Sequence, residues 1–550
     1  MRTLTLLLTL AVAACGSASP VGRVRFVNAP PVTRVNDRVD TPKQPKENPF
    51  YRPYYHFTSY LLLARRALNL TRDRRALGVN SLDEVPDSTF FTNRIGVRPM
   101  SIDEFAQGAP GETPQLHMPW KIKSAKVGGS VPGFICEDAD GRKFLLKFSL
   151  KTLPELDSAA DVITARLLYA GGWNVPSDHI VYFKRVDLVL GDKATRKVNG
   201  EKIPLDNAFI DAEMTKVNAS ADGTYRATAS LYIGGHPLGG QPRLGTREDD
   251  PNDLVPHQWR RDARGIAAFT AWLAHTDQKE DNTLDSWEPD PANPQVHYVK
   301  HYQIDFGNSL GAFPVTNSRP QPDFVHEVDP YEWTLTFLTL GLRRQPWEGR
   351  VFTHIPGVGL YSDLDYNPAG WKPNPMGQFP VLFADRYDQF WGAKILIKIT
   401  RPQLEAAVKA GHLSDSRAAP YLVDTLEKRQ RRTALHWFLR VNPVDNFVTD
   451  GGTLCFDDLA IQYHLDLRPT VFTLDAYDYQ GRALAVPPER VAPSERGHAC
   501  SAHLPRGGTD ADGHYTIVRV QTSRGIPATL VHIADDPVTR APRVIGLHRL

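Results

Sequence analysis

The stretch "LAHTDQKEDNTLD", residues 273–285, decides how this chain is to be understood. Within it His275, Asp277 and Asn282 stand at the spacing H-x-D-x-x-x-x-N. An aspartate in such a loop can take a proton from a hydroxyl, and an amide oxygen five residues on can face a hard cation. The run before it, "RRDARGIAAFTAWLAHTD", places Ile266, Phe269 and Leu273 at i, i+3 and i+7, so a helix leads into the loop. After it, "HYQIDFGNSLGAF" predicts a strand over Tyr302–Ile304 that ends at Asp305-Phe306-Gly307.

Upstream, "KVGGSVPGFICEDADGRKFLLKFSL" (126–150) has a glycine-bearing turn, a short apolar run, an Asp-Gly turn and a second apolar run, which is a hairpin pattern. In the second strand Phe144, Leu146 and Phe148 share one face, and Leu145 and Lys147 the other. "PELDSAADVITARLLYAGG" (154–172) predicts a helix from Pro154 and Ser158 to the stop at Gly171-Gly172. Strands are expected in "NVPSDHIVYF" (174–183) and "GTYRATASLYIG" (223–234), and helices over 59–70, 400–411 and 417–440. Beyond about 450 the character changes. "IQYHLDL", "YTIVRVQT" and "ATLVHIADD" alternate without a helical period and predict a separate β-sandwich-like module.

At 550 residues, two or three domains are expected. A net charge of +2 excludes a general nucleic-acid binder and a strongly basic membrane-surface protein. The opening "MRTLTLLLTLAVAACGSASP" joins Arg2, a short apolar run and small residues before Cys15. It is too short for a spanning helix and is similar to a bacterial lipoprotein signal, in which the cysteine is lipidated after cleavage. That resemblance implies a protein tethered outside the cytoplasm, in the bacterial cell envelope, and held at the outer membrane on its periplasmic or surface side. Of the remaining cysteines, Cys455 and Cys500 are the natural disulfide pair by position, and Cys136 is expected as a small buried hydrophobe.

The polar residues fall in an order that phosphoryl transfer requires: glycines over the phosphates, a lysine on them, an acid fixing that lysine, a base and metal ligands. Gly128, Gly129 and Gly133 lie in the turn, although "GGSVPG" does not match G-x-G-x-x-G. Lys147 ends a strand, an acidic helix follows, and Asp277, Asn282 and Asp305 come next.

"GRKFLLKF", "DVITARLLYAGGWNVP", "HTDQKEDN" and "YQIDFG" together resemble the protein-kinase-like fold, and more closely its atypical HipA-like and spore-coat CotH-like members. The resemblance covers about 120–310, with helices to 440 completing a large lobe. It implies an α+β fold: a two-lobed core with a β-rich small lobe and a helical large lobe, then the C-terminal β module. The expected divisions are a signal peptide over 1–14, a flexible tether over 15–50, and an extension packing on the core over 51–120. The small lobe with an insertion follows over 121–250, the large lobe over 251–445 and the β module over 446–550. The resemblance makes Asp277 the residue that orients or deprotonates the acceptor, with Lys279 near the transferred phosphate. Lys147, Gly128 and Gly129 would bind the nucleotide, and Asn282 and Asp305 would hold magnesium or manganese. Asp161 stands where the family usually has Glu, with Glu155 and Asp157 as alternative partners for Lys147. The implied cofactors are ATP and the divalent cation. The implied partners are a nucleotide, an acceptor hydroxyl on a protein, glycan or small molecule, and the membrane through its lipid anchor alone; no nucleic acid is expected. The chain is also similar to bacterial lipoproteins sharing "GTREDDPNDLVPH" and "DFGNSLG".

Competing readings accompany each feature. Lys147 can be an ordinary strand-end lysine, and His275 is expected to hold the loop backbone rather than act chemically. Asp249, Asp250 and Asp253 suggest a metal cluster, but surface-loop solvation or turn capping is the expected reading. His257 with Arg260 and Arg261 is expected as a solvated helix start. The competing functions are a pseudokinase that binds an envelope partner without chemistry, and a metal-dependent hydrolase using Asp277 and Asp305.

Overall fold

The computed structural model describes residues 21–49, 51–67, 74–126, 131–313, 323–326, 329–345, 347–350, 353–373, 379–510 and 513–550. It is a mixed α+β structure of two compact units. One comprises Thr33–Val79 and Val85–Trp437. The other takes the described residues up to Val32, with Asn80–Glu84 and Phe438–Leu550.

The larger unit is built on a seven-stranded sheet. Its strands are β1 (Trp120–Ala125), β2 (Gly133–Glu137), β3 (Lys143–Lys147), β4 (Asp178–Lys184), β5 (Leu188–Val198), β6 (Glu201–Pro204) and β7 (Thr224–Leu231), in the order β4-β7-β3-β2-β1-β5-β6. β1 and β5 pair in parallel, and the other neighbours run antiparallel. Alternation sends Phe144 and Leu146 of β3, Phe134 and Cys136 of β2, and Trp120 and Ile122 of β1 into one apolar cluster. Trp120 packs edge-on against Phe144, and its indole N–H donates to the Pro114 carbonyl at 2.9 Å. Cys136 is free and buried there, as the sequence predicts.

Among the helices of this unit, α1 spans Arg52–Ala67, earlier than the predicted 59–70, and α2 spans Leu156–Gly171. α2 packs on β4 and β7 and is buried on nearly every side. It stops because Gly172 takes φ +128° and lies so close to Phe91 that a β-carbon would overlap the ring. α3 (Asn207–Met214) adds Ile210 and Met214 to the apolar cluster. α4 (Arg261–Trp272) and α5 (Arg386–Leu396) pack together through Arg261 and Arg264, both paired with the buried Asp388. α6 (Arg401–Lys409) and α7 (Ala418–Phe438) follow, and the Trp272 indole N–H reaches the Leu426 carbonyl at 2.8 Å. A second, three-stranded sheet joins β8 (His236–Gly239), β9 (Thr283–Asp290) and β10 (Asn293–Gln303) in the order β10-β9-β8. β10 is longer than the predicted strand at 302–304, because its ladder continues across β9 to Asp290.

The smaller unit is mostly strand. β11 (Val444–Asp450), β12 (Thr453–Asp458) and β15 (His498–Cys500) form one sheet. β14 (Glu489–Val491), β13 (Phe472–Asp478), β17 (Gly513–Thr522), β18 (Thr529–Asp535) and β19 (Pro542–Arg549) line up in another, with β16 (Thr509–Asp510) paired to β17. Their shared core includes Phe456, Phe472, Val520 and Val531. Cys455 and Cys500 are joined as a disulfide.

Two expectations need correction. The predicted tether is not loose chain over its described part: Val35, Thr41 and Asn48 donate backbone bonds to Asp87, His297 and Leu238, and Asp37 accepts from the Thr89 N–H and hydroxyl. Polar side-chain bonds of this kind leave no periodic trace in a sequence. "IQYHLDL" is not a strand either. The Asp458 carboxylate accepts from Ala460 and Ile461 N–H and opens the short helix α8 (Leu459–Gln462). Replacing Trp120 with Ala, which empties the centre of the large sheet's core, is expected to destabilise the protein by about 3–5 kcal/mol in urea unfolding. A loss under 1 kcal/mol would show that this cluster is not a close-packed core.

Candidate functional site

A buried helix leaves no room for an unpaired carboxylate, yet α2 carries Asp161, which is 2% exposed. Its partner comes from β3. Alternation turns Lys147 away from the apolar cluster toward α2, and its ammonium forms an ion pair with Asp161. The other Asp161 oxygen accepts the Phe306 backbone N–H at 2.8 Å. One carboxylate therefore fixes both the lysine and the Asp305-Phe306-Gly307 turn. Asp305, with its side chain 56% exposed, faces Lys147 at 3.3 Å. Its backbone sits at φ +61°, a left-handed conformation that Asp tolerates better than most residues. Glu155, offered above as an alternative partner, instead accepts the Ser414 N–H.

The turn is placed by the β9–β10 hairpin. Thr283 pairs with Gln303, and one step further the Ile304 N–H donates to the Asn282 carbonyl at 3.0 Å. The ends of the hairpin therefore lay Asn282 beside the approach to Asp305. On the other side, α4 ends at the left-handed Ala274, and the His275 N–H returns to the Thr270 carbonyl. The Thr276 N–H then donates to the Asn308 carbonyl at 3.0 Å. His275 is buried edge-on to Phe306, 5.6 Å between centroids, and burial lowers its pKa. It holds the loop, as expected.

Asp277 is tightly surrounded. Lys279 donates to both of its oxygens, at 3.1 and 2.9 Å, and the Asn308 amide to one of them at 3.2 Å. The Asn282 amide nitrogen donates to the Asp277 carbonyl at 2.7 Å, which orients the Asn282 amide oxygen away from that bond.

Three groups here were not legible in the sequence. Lys126 continues β1, and its N–H donates to the Gly133 carbonyl; Gly133 lies directly opposite Lys147. Lys126 and Lys147 thus flank one glycine on adjacent strands, and a β-carbon at Gly133 would crowd the Lys126 stem at 3.1 Å. The pattern that could have found it is a lysine just before the glycine turn. Asn308 is the second, visible only as the residue after Asp-Phe-Gly. The third is Asp178 of β4, buried beside Asp161 and Lys147, with one oxygen that accepts no hydrogen bond.

Charge is concentrated accordingly. The Lys147 ammonium holds Asp305 below the ordinary carboxylate range, with Lys126 and Lys279 adding to the effect. Burial opposes the Lys147 charge, but Asp161 and Asp305 outweigh it and raise its pKa. Burial lowers the Lys126 pKa despite Asp305. Burial, reinforced by Asp161, pushes Asp178 up to about 8.

Gly128, Gly129 and Cys15 lie outside the described residues. The acidic loop meets expectation only in part: Asp250 caps its turn by accepting the Asn252 N–H at 3.0 Å. Asp250 and Asp253 are buried rather than solvated, and Asp253 pairs with the buried His257 at 2.7 Å. His257 is therefore no solvated helix start. Arg247 bridges Asp249 and Asp285, and Asp285 holds His301 at 2.6 Å. Partners from three separate segments make this network invisible to local pattern. Among the described residues, the one trio of His, Cys, Asp or Glu close enough to share a metal is Cys455, His498 and Cys500, and there the disulfide occupies both sulfurs. Comparison with models of known protein families and with curated proteins finds no match.

The Asp178 environment sets a pH test. In the folded protein Asp178 keeps a proton up to about pH 8, whereas an unfolded Asp releases it near about pH 4. Its neutral form stabilises the fold fully below the unfolded pKa, and this contribution is lost as pH rises through the folded pKa. Asp178→Asn is therefore expected to gain stability relative to wild type as pH increases from about 4 to about 8, measured by urea unfolding across that range. A difference constant with pH would place the Asp178 pKa at its ordinary value.

Proposed function

We propose that this protein is a kinase-like phosphotransferase of the bacterial envelope, held by a lipid on Cys15. Its core takes the two-lobed form, with β1–β7 as the small lobe and the α4–α7 region as the large one, and the β-sandwich-like module follows. The observation that carries the proposal is the Asp161 carboxylate shared by Lys147 and the Phe306 N–H. An ammonium so fixed, beside a half-exposed aspartate on a constrained turn, suits the phosphates of a nucleotide.

In this reading Lys147 and Lys126 hold the phosphates, helped by Gly128 and Gly129. Asp305 and the Asn282 amide oxygen are hard donors of the kind magnesium takes together with phosphate oxygens. They would hold that cation, which would neutralise charge on the phosphates. Asp277 accepts the proton of the acceptor hydroxyl while the terminal phosphoryl group passes to its oxygen and the nucleoside diphosphate leaves. Lys279 moves from Asp277 to the transferred group.

A second reading, binding without chemistry, is favoured by one observation: Asp277 is occupied by Lys279 and Asn308. The hydrolase reading, with metal bound in the absence of nucleotide, has no comparable support.

Thermal unfolding of protein lacking residues 1–15 separates these readings. ATP with magnesium at about 100 times Kd is expected to stabilise the protein by about 2.7 kcal/mol. Lys147→Ala and Lys126→Ala should weaken this, and Asp305→Asn should remove its dependence on magnesium. Asp277→Asn should keep binding while transfer falls by about 100-fold or more. Binding with no transfer by wild type to any offered hydroxyl supports the second reading, and absence of nucleotide binding rejects the proposal. In the full chain, Cys15→Ser is expected to move the protein from the membrane to the soluble fraction; unchanged membrane association would reject the anchor.

A further inference from the structure

β12 and β15 place two cross-strand pairs side by side. Cys455 lies opposite Cys500 and Asp457 opposite His498, while Phe456 and Ala499 between them turn into the core. Because side chains alternate along a strand, the four polar members share the other face. Their contacts form a chain. The Asn446 amide donates to Asp457 at 2.9 Å, a second Asp457 oxygen meets His498 Nδ1 at 2.9 Å, and His498 Nε2 lies 3.3 Å from Cys500 Sγ. Cys500 is exposed and His498 is 56% exposed, whereas Cys455 is buried. The Thr453 hydroxyl gives its proton to the Asp450 carbonyl at 2.6 Å and lies 3.7 Å from Cys455 Sγ, where it can accept a thiol S–H.

The geometry points to a thiol–disulfide exchange centre, in which Cys500 is the sulfur that meets external thiols and His498, oriented by Asp457, stabilises its thiolate. The two sulfurs are not equivalent. Only Cys500 can be reached, and only Cys500 has an imidazole beside it. An imidazolium next to a cysteine lowers the thiol pKa and improves the thiolate as a leaving group. Cys455, buried next to a hydroxyl that accepts S–H, is suited to the neutral thiol. The carboxylate on the far nitrogen fixes the ring tautomer and orientation.

A single exchange balances without another reagent and leaves the centre reduced. A thiolate of a substrate dithiol attacks Cys500 Sγ, the Cys455–Cys500 bond breaks, and its electron pair leaves on Cys455, which takes one substrate proton. The second substrate thiolate attacks the first substrate sulfur in the mixed disulfide and releases the Cys500 thiolate. The second proton rests on His498. The substrate dithiol is oxidised to a disulfide, and the protein disulfide is reduced to a dithiol. The substrate class is a dithiol on a peptide or small molecule that can approach an exposed strand. None of this depends on the phosphotransfer proposal.

Two measurements test it on the whole protein. Dithiothreitol should reduce the bridge in folded protein far faster than the protein unfolds, with Cys136 still unreactive to iodoacetamide. In Cys455→Ser, which keeps Cys500 as a free thiol, alkylation of Cys500 should titrate at least one pH unit below the ordinary cysteine value of about 8.5. Adding His498→Ala should return that profile to the ordinary value and cut the alkylation rate at pH 6 by about tenfold or more. Reduction only at the rate of global unfolding would overturn the inference. An ordinary Cys500 titration that His498→Ala leaves unmoved would overturn it as well.

Discussion

The carboxylate of Asp161 is the constraint on which the large unit's polar centre depends. It lies in a helix with almost no exposed surface, so the cost of its charge must be met by partners. Lys147 and the Phe306 N–H supply them from two different parts of the chain. Removing either partner would leave a buried carboxylate short of compensation, a loss of the order of several kcal/mol. The same bond determines where the Lys147 ammonium stands and where the Asp305 turn begins. The sheet, the helix and the turn after β10 therefore form one assembly around a single charged group.

Around that group the backbone performs most of the positioning. The β9–β10 ladder ends with Asn282 and Ile304 hydrogen bonded, so two loops separated by over twenty residues leave the hairpin together. Thr276 and Asn308 close the opposite side. Loops placed by ladder ends need little side-chain organisation of their own, which leaves Asp277, Lys279 and Asp305 free for charge. Three lysines then act on one exposed aspartate. Two of these lysines are paired with carboxylates, Lys147 with Asp161 and Lys279 with Asp277, and ammonium and carboxylate groups gathered at one exposed turn suit phosphates together with a cation, which is the physical basis of the phosphotransfer proposal.

Periodicity made the main elements legible. Phe144, Leu146 and Phe148 alternate against Lys147, and the structure places them on opposite faces as that alternation requires. The helix leading into His275 and the helix ending at Gly172 follow from spacing and from a glycine stop. The Cys455–Cys500 pairing was legible from the positions of the few cysteines. What escaped depends on partners distant in sequence. Lys126 gains its place only once β1 and β2 are in register across Gly133. Asp250, Asp253 and His257 look like a solvated turn until Arg247, Asp285 and His301 are folded against them. The stretch at 461–467 alternates like a strand, but the Asp458 cap offers its first N–H groups a better partner. Local pattern records burial well and long-range polar pairing poorly, and the centre of this protein is long-range polar pairing.

The claim that Asp161 and Lys147 act as one unit is tested most directly by a double-mutant cycle on folding stability with Asp161→Asn and Lys147→Met. The account predicts that each single change is strongly destabilising and that the double mutant loses less than their sum by about 1–3 kcal/mol. Additive effects, within about 0.5 kcal/mol, would contradict it.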